Sequence, residues 1–183
     1  MNMTTIPTST QVHRVKINDY RRQLRHFIMT SRFNNTTWNE NVHFREKQQK
    51  IGCIYCSPNP VTVNIPHESI LFILEMNNDA NKICGVGMVM NNPRINKYSV
   101  YENGNYNRYS FIGKCRIDRS EMTEEENTIM RVFDILCFTG NRHMKRGQGL
   151  TMFPVEMLYK CNKRLDLVEF IRNMFKSRFT KQK

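Results

Sequence analysis

"SILFILEMNNDANKICGVGMVM", Ser69 to Met90, is the stretch on which the fold turns. Two apolar runs, "SILFILEM" and "KICGVGMVM", flank Asn77-Asn78-Asp79-Ala80-Asn81. Asn and Asp bond readily to their own backbone and tolerate tight turns, so this linker joins antiparallel neighbours. The reading is therefore two paired strands at the centre of the chain.

Working outward, "HFIMTS" (26–31) reads as a buried strand behind a short basic helical turn in "NDYRRQLR". "NNTTWNENVHFREKQQK" (34–50) opens on Asn/Thr capping residues and sets Trp38, Val42 and Arg45 at helical spacing, which predicts a helix. "IGCIYCS" (51–57) is a short strand followed by a proline-bearing loop. On the other side, "NNPRINKYSVYENGNYN" (91–107) is polar, aromatic and Asn-rich, an exposed loop. "RYSFIGKCRI" (108–117) is another strand. "TEEENTIMRVFDILCF" (123–138) starts with a Thr cap and three glutamates favourable to the helix dipole. "GLTMF" (149–153) is a short strand, and "RLDLVEFIRNMFKSRF" (164–179) puts Leu167, Phe170, Ile171, Met174 and Phe175 on one helical face. Five or six short, mostly antiparallel strands interrupted by helices predict an α+β fold: a small, curved mixed sheet or open barrel with flanking helices. The polar, Thr-rich start predicts a flexible N-terminal segment over 1–20, and 21–183 a single domain ending in a basic helix.

The net charge of +12 calls for a polyanionic partner. From Asn141 onward there are eleven Lys/Arg and three Asp/Glu, so most of the excess lies in the last quarter. No stretch has the roughly 20 apolar residues of a membrane span, and "MNMTTIPTST" lacks the apolar core of a secretory signal. Four of the six cysteines (Cys84, Cys115, Cys137, Cys161) stand alone. Reduced thiols and an intracellular site, cytoplasm or nucleus, are expected.

"HMKRGQGLTMFP" (143–154) sets basic residues beside a Gly-Gln-Gly loop. Glycine lets the main chain approach a ligand closely, and Lys145 and Arg146 suit an anionic one. Cys53 and Cys56 form a lone Cys-x-x-Cys. A structural zinc needs four ligands, and a spacing of three in a strand sends the two thiols to opposite faces, so no metal and no cofactor are expected. There is no phosphate-binding Walker loop, no Gly-x-Ser-x-Gly, and no His-x-Glu ahead of a Cys-x-x-Cys. No enzymatic activity is expected.

The order of these segments resembles the PUA-like superfamily, and within it the EVE and YTH domains, over Arg25 to Phe179. The resemblance rests on "HFIMTSR", on "IYCS", on the paired strands ending "GVGMVM", and on "KRGQGLTMFPVEML", which is close to the basic-Arg-Gly-Gln segment of EVE domains. It implies a non-catalytic reader whose aromatic pocket takes one flipped base of single-stranded RNA, with DNA as a lesser option. The base is often modified, N6-methyladenine being one case. Carried over, Tyr55 is the first cage aromatic, Ser57 and Ser31 bond the base, and Tyr98 or Tyr101 supplies the second wall. Lys145, Arg146, Arg142 and Gly147 surround the phosphate. YTH cages use tryptophan, whereas the single tryptophan here, Trp38, lies in the expected helix. The alternative is a basic adaptor in a nucleoprotein particle, such as a viral one, that binds without reading a base. A protein partner is compatible with either.

Overall fold

Apolar runs this dense need cover on both faces, and the fold provides it with one central sheet between two unlike layers. The computed structural model describes residues 9–180. The chain runs through α1 (Ser9–Gln23), β1 (His26–Phe33), α2 (Asn35–Lys47), β2 (Cys53–Ser57), β3 (Ile70–Asn77), β4 (Lys82–Met90) and β5 (Arg94–Ile95). It continues with β6 (Tyr109–Gly113), β7 (Cys115–Asp118), α3 (Glu124–Phe138), β8 (Thr151–Met152), α4 (Val155–Asn162) and α5 (Leu167–Phe179). Five strands form one sheet in the order β7-β4-β3-β1-β8, and three form a second in the order β2-β6-β5. The fold is mixed α+β with two sheets.

Strand periodicity explains the layering. On the central sheet, Ile28, Phe72, Leu74 and Met76 point to one face, where Met130 and Phe133 of α3, Leu158 of α4, and Ile171 and Phe175 of α5 bury them. Phe27, Met29, Leu71 and Ile73 point to the other face and meet Ile54 and Tyr55 of β2 and Phe111 of β6. The Asn-rich turn joins β3 to β4 as antiparallel neighbours, as expected. The β1–β3 pair is parallel, with α2 and β2 as its crossover.

Local chemistry sets the helix ends. Asn34 and Thr37 form a reciprocal capping box at α2, and Thr123 and Glu126 form another at α3. Asp166 accepts from the backbone N–H groups of Val168 and Glu169 at the start of α5.

Several expectations need correction. "RYSFIGKCRI" is not one strand: β6 belongs to the small sheet and β7 to the large one. The switch falls at Gly113, where a Cβ would lie 2.0 Å from the Met88 carbonyl oxygen, so only glycine lets the chain cross so near β4. The segment expected to be flexible through residue 20 is helical from Ser9. Its Tyr20 meets Tyr159 of α4 edge-on, ring centroids 5.7 Å apart. Residues 1–8 and 181–183 lie outside the described part. Helix α4 went unpredicted because it starts behind Pro154 with no side-chain cap. Among the described residues, no helix is long and apolar enough to cross a membrane.

Candidate functional site

Most of the polar residues on the sheet-covered face gather at one end of β1 and β3. Glu75 is fully buried and sits where the β3–β4 register shifts between Leu74 and Met76. A bulge of this kind re-aims a side chain. The Glu75 carboxylate accepts from the Tyr55 hydroxyl at 2.7 Å and from Arg116 Nη2 at 2.7 Å. Arg116 continues to Asp118 at 2.9 Å. Burial, reinforced by the Glu75 charge, pushes the Tyr55 hydroxyl well above its ordinary range. Burial works against the Arg116 charge, yet the adjoining Glu75 carboxylate raises its pKa overall. Gly87 makes room for the tyrosine: a Cβ there would lie 1.9 Å from the Tyr55 oxygen.

Tyr55 therefore points into the core and does not wall a pocket. It is 0% exposed. The expected cage position is filled by its neighbour Cys56, whose thiol lies 3.4 Å from the Ser110 hydroxyl. Burial pushes the Cys56 thiol up to about 11, so it is an uncharged wall. Cys53 faces elsewhere, toward the carbonyls of Met88 and Cys115.

Beyond this cluster opens a cleft of about 380 Å³. Its floor is the end of β1 (Ser31, Arg32, Phe33), and one side is the start of α2 (Asn34, Thr37). The opposite rim carries Tyr101, Asn103 and Tyr106, and Gly147-Gln148-Gly149 closes the mouth. No carboxylate lines it. A space of this size with aromatic and amide walls is large enough for a small-molecule-sized group.

The expected residues divide accordingly. Ser31, Tyr101 and Gly147 line the cleft. Tyr101 forms the back of its wall, the hydroxyl accepting from Asn41 at 3.0 Å, and Tyr106 meets it edge-on at 6.3 Å. Tyr98 lies away from the cleft, against Phe44 at 6.1 Å. Ser57 is buried behind the glycine loop, its hydroxyl donating to the Asn59 carbonyl at 2.6 Å. Lys145 reaches Asn81 Oδ1 at 2.9 Å, while Arg142 and Arg146 are exposed. Trp38 is half-buried, edge-on to Phe33, with the guanidiniums of Arg45 and Arg116 each 5.8 Å from its ring.

The glycine loop has a structural reason for its composition. Gly149 has φ +64°, a left-handed conformation, and a Cβ there would lie 2.0 Å from Ser57 Oγ. Gly147, at φ +111°, lies over the Arg32 guanidinium.

Arg32 was missed by sequence reasoning, as were Asn78 and Tyr106. The Arg32 Nε donates to the Met144 carbonyl and its Nη1 to Thr151 Oγ1 at 2.9 Å. No carboxylate pairs with it among the described residues, so a half-buried cation underlies the cleft without a counter-charge. Burial lowers its pKa. Asn78 donates to the Lys145 carbonyl at 3.0 Å, and its buried Oδ1 accepts nothing among the described residues. The one available signal was position, since Arg32 lies next to the end of β1, the strand that by resemblance leads into the pocket. Comparison with family models, curated proteins and solved structures finds no match to this chain, so the reading of the site rests on its own geometry.

Proposed function

We propose that the protein is a non-catalytic nucleic-acid reader whose cleft takes one unstacked base of a single strand, RNA in preference to DNA. The observation that carries this is the pairing of an aromatic, carboxylate-free cleft with the uncompensated Arg32 cation at its floor. A base pulled from its strand loses stacking partners, and an aromatic side chain restores roughly 1–3 kcal/mol per base. Tyr106 is the ring placed to do this, with Tyr101 behind it. Ser31, Asn34, Thr37 and Asn103 offer donors and acceptors to a base edge. Arg32 and exposed Arg146 attract the flanking phosphates, which position the strand without reading it. Sequence-selective readout of splayed bases is chiefly an RNA habit. The order of the sequence segments and the glycine loop resemble a PUA-like domain of the EVE/YTH kind. In this reading the missing tryptophan cage is replaced by Cys56 and tyrosine, a smaller contact surface for a methyl group.

The test is binding of short single-stranded RNAs, with and without N6-methyladenine or 5-methylcytosine, at two salt concentrations, to wild type and Tyr106→Ala. The reader predicts a preferred base and a loss of about fivefold or more in Tyr106→Ala at both salts. Equal binding to all strands, collapsing with salt and indifferent to Tyr106, would leave a basic adaptor or packaging protein instead.

A further inference from the structure

A second aromatic surface lies on the helix-covered face, at the opposite end of β1 from the cleft. There the rings of His26, Phe72, Phe175 and Phe179 form a ladder. Successive centroids are 5.8, 5.4 and 5.8 Å apart and successive planes are inclined by only 17°, 19° and 29°. The inner rungs are buried, but Phe179 is 44% exposed. The ladder thus ends on a residue partly open to solvent. It borders a groove of about 350 Å³ floored by Ile70, Met88 and Cys115 and edged by Arg172 and Lys176.

The sequence of α5 produces this alignment. Arg172, Lys176 and Phe179 recur at i, i+4 and i+7, which stacks them along one helical edge. Arg172 is partly neutralised by Glu169 at 2.9 Å, whereas Lys176 is exposed and has no carboxylate within ion-pair distance among the described residues. His26 is held toward its neutral form, first by burial and then by Arg172. A near-parallel ladder with an open last rung and a cation one turn away matches a nucleobase and its phosphate better than a peptide side chain. Planar stacking is what a base supplies, and the cation answers its charge.

We infer that the Phe179–Lys176 groove is a second, sequence-tolerant contact for a single-stranded polynucleotide: a base stacks on the open face of Phe179 and its phosphate meets Lys176 and Arg172. It rests on the nucleic-acid reading of the protein, though not on the cleft. It implies that strands long enough to reach both surfaces bind more tightly than short ones.

The experiment is fluorescence anisotropy with labelled single-stranded RNAs of about 4 and about 30 nucleotides. The proteins are wild type, Phe179→Ala, Phe179→Trp and Lys176→Glu, with melting curves to confirm folding. Phe179→Ala should weaken the long strand by about fivefold or more, and Phe179→Trp should retain its binding. Lys176→Glu should weaken the long strand and lower its salt slope by about one. All three should leave the short strand unchanged. Loss of short-strand binding in wild type, with long-strand binding still dependent on Phe179, would sink the cleft reading and keep this one. Long-strand binding indifferent to both Phe179→Ala and Lys176→Glu would overturn the groove, and capture of an acidic peptide at Phe179 in its place would assign the groove to a protein partner.

Discussion

The two faces of the five-stranded sheet solve the same burial problem with different chemistry. The helix-covered face is filled by Ile28, Phe72, Leu74, Met76, Phe133, Phe153 and Ile171. The face toward the small sheet buries Glu75, Ser31 and Asn77 among its apolar residues, and Tyr55 hydrogen-bonds across to Glu75. The first face gains from area removed from water, at about 25 cal/mol per Å². The second gives up part of that gain, since a buried charge is tolerated only when paired and hydrogen-bonded. The difference has a spatial counterpart: the polar face is the one whose far end opens into the cleft.

Removing Glu75 probes the polar face most severely. Glu75→Ala leaves Arg116 buried without its main partner and Tyr55 without an acceptor, so a loss of about 3–5 kcal/mol in chemical denaturation is expected. Phe133→Ala, the counterpart on the dry face, should also cost about 3–5 kcal/mol, through a cavity. The contrast sharpens with the triple change Tyr55→Phe, Glu75→Leu, Arg116→Met. Recovery of most of the stability would mean that the cluster orients β2 rather than holds the fold. If Glu75→Ala costs under ~1 kcal/mol, the contrast between the faces fails.

Gly149→Ala comes next. Its Cβ would collide with Ser57 at a left-handed φ, for about 1–3 kcal/mol, and strand binding should fall with it because the cleft mouth must shift. Asp166→Ala, on the dry side, removes a cap that accepts two backbone N–H groups and should cost about 1 kcal/mol with no change in binding.

The smallest effect is a pH dependence. Arg178, bonded to Glu126 at 2.6 Å, is the main reason the Glu126 pKa is lowered. A lowered carboxylate contributes stability that is present above its unfolded pKa and fades as pH falls through the folded one. Wild type should therefore lose stability to acid below the ordinary carboxylate range, and Glu126→Gln should flatten that limb in melting temperatures measured from neutral to acid pH. A limb of equal slope in both proteins would place the titration elsewhere.

What the chain disclosed before folding follows from how local each feature is. The β3–β4 pair was readable because its turn chemistry and apolar runs are contiguous, and α3 because its cap and glutamates sit within one turn. Tyr55 was misread because β2 is buried on both faces, so alternation carries no inward or outward sign. The strand switch at Gly113 depends on a contact with Met88, 25 residues earlier in the numbering. The cleft was legible in part. Its glycine loop stood out by composition, whereas Tyr101 and Ser31 were indicated only by the resemblance to known domains. Arg32, Asn78 and Tyr106 acquire meaning only when distant segments meet.

One of those meetings has a kinetic side. Strand β8 is two residues long, and its bond from Thr30 to the Thr151 carbonyl spans 121 positions of chain. Closing so long a loop costs entropy that two residues of pairing offset poorly, so this contact belongs late in folding and early in local opening. Amide exchange at Thr151 and Met152 should be faster than in β3, where neighbours flank the strand on both sides. A strand seated in the cleft would slow it, which makes those amides an internal reporter of occupancy.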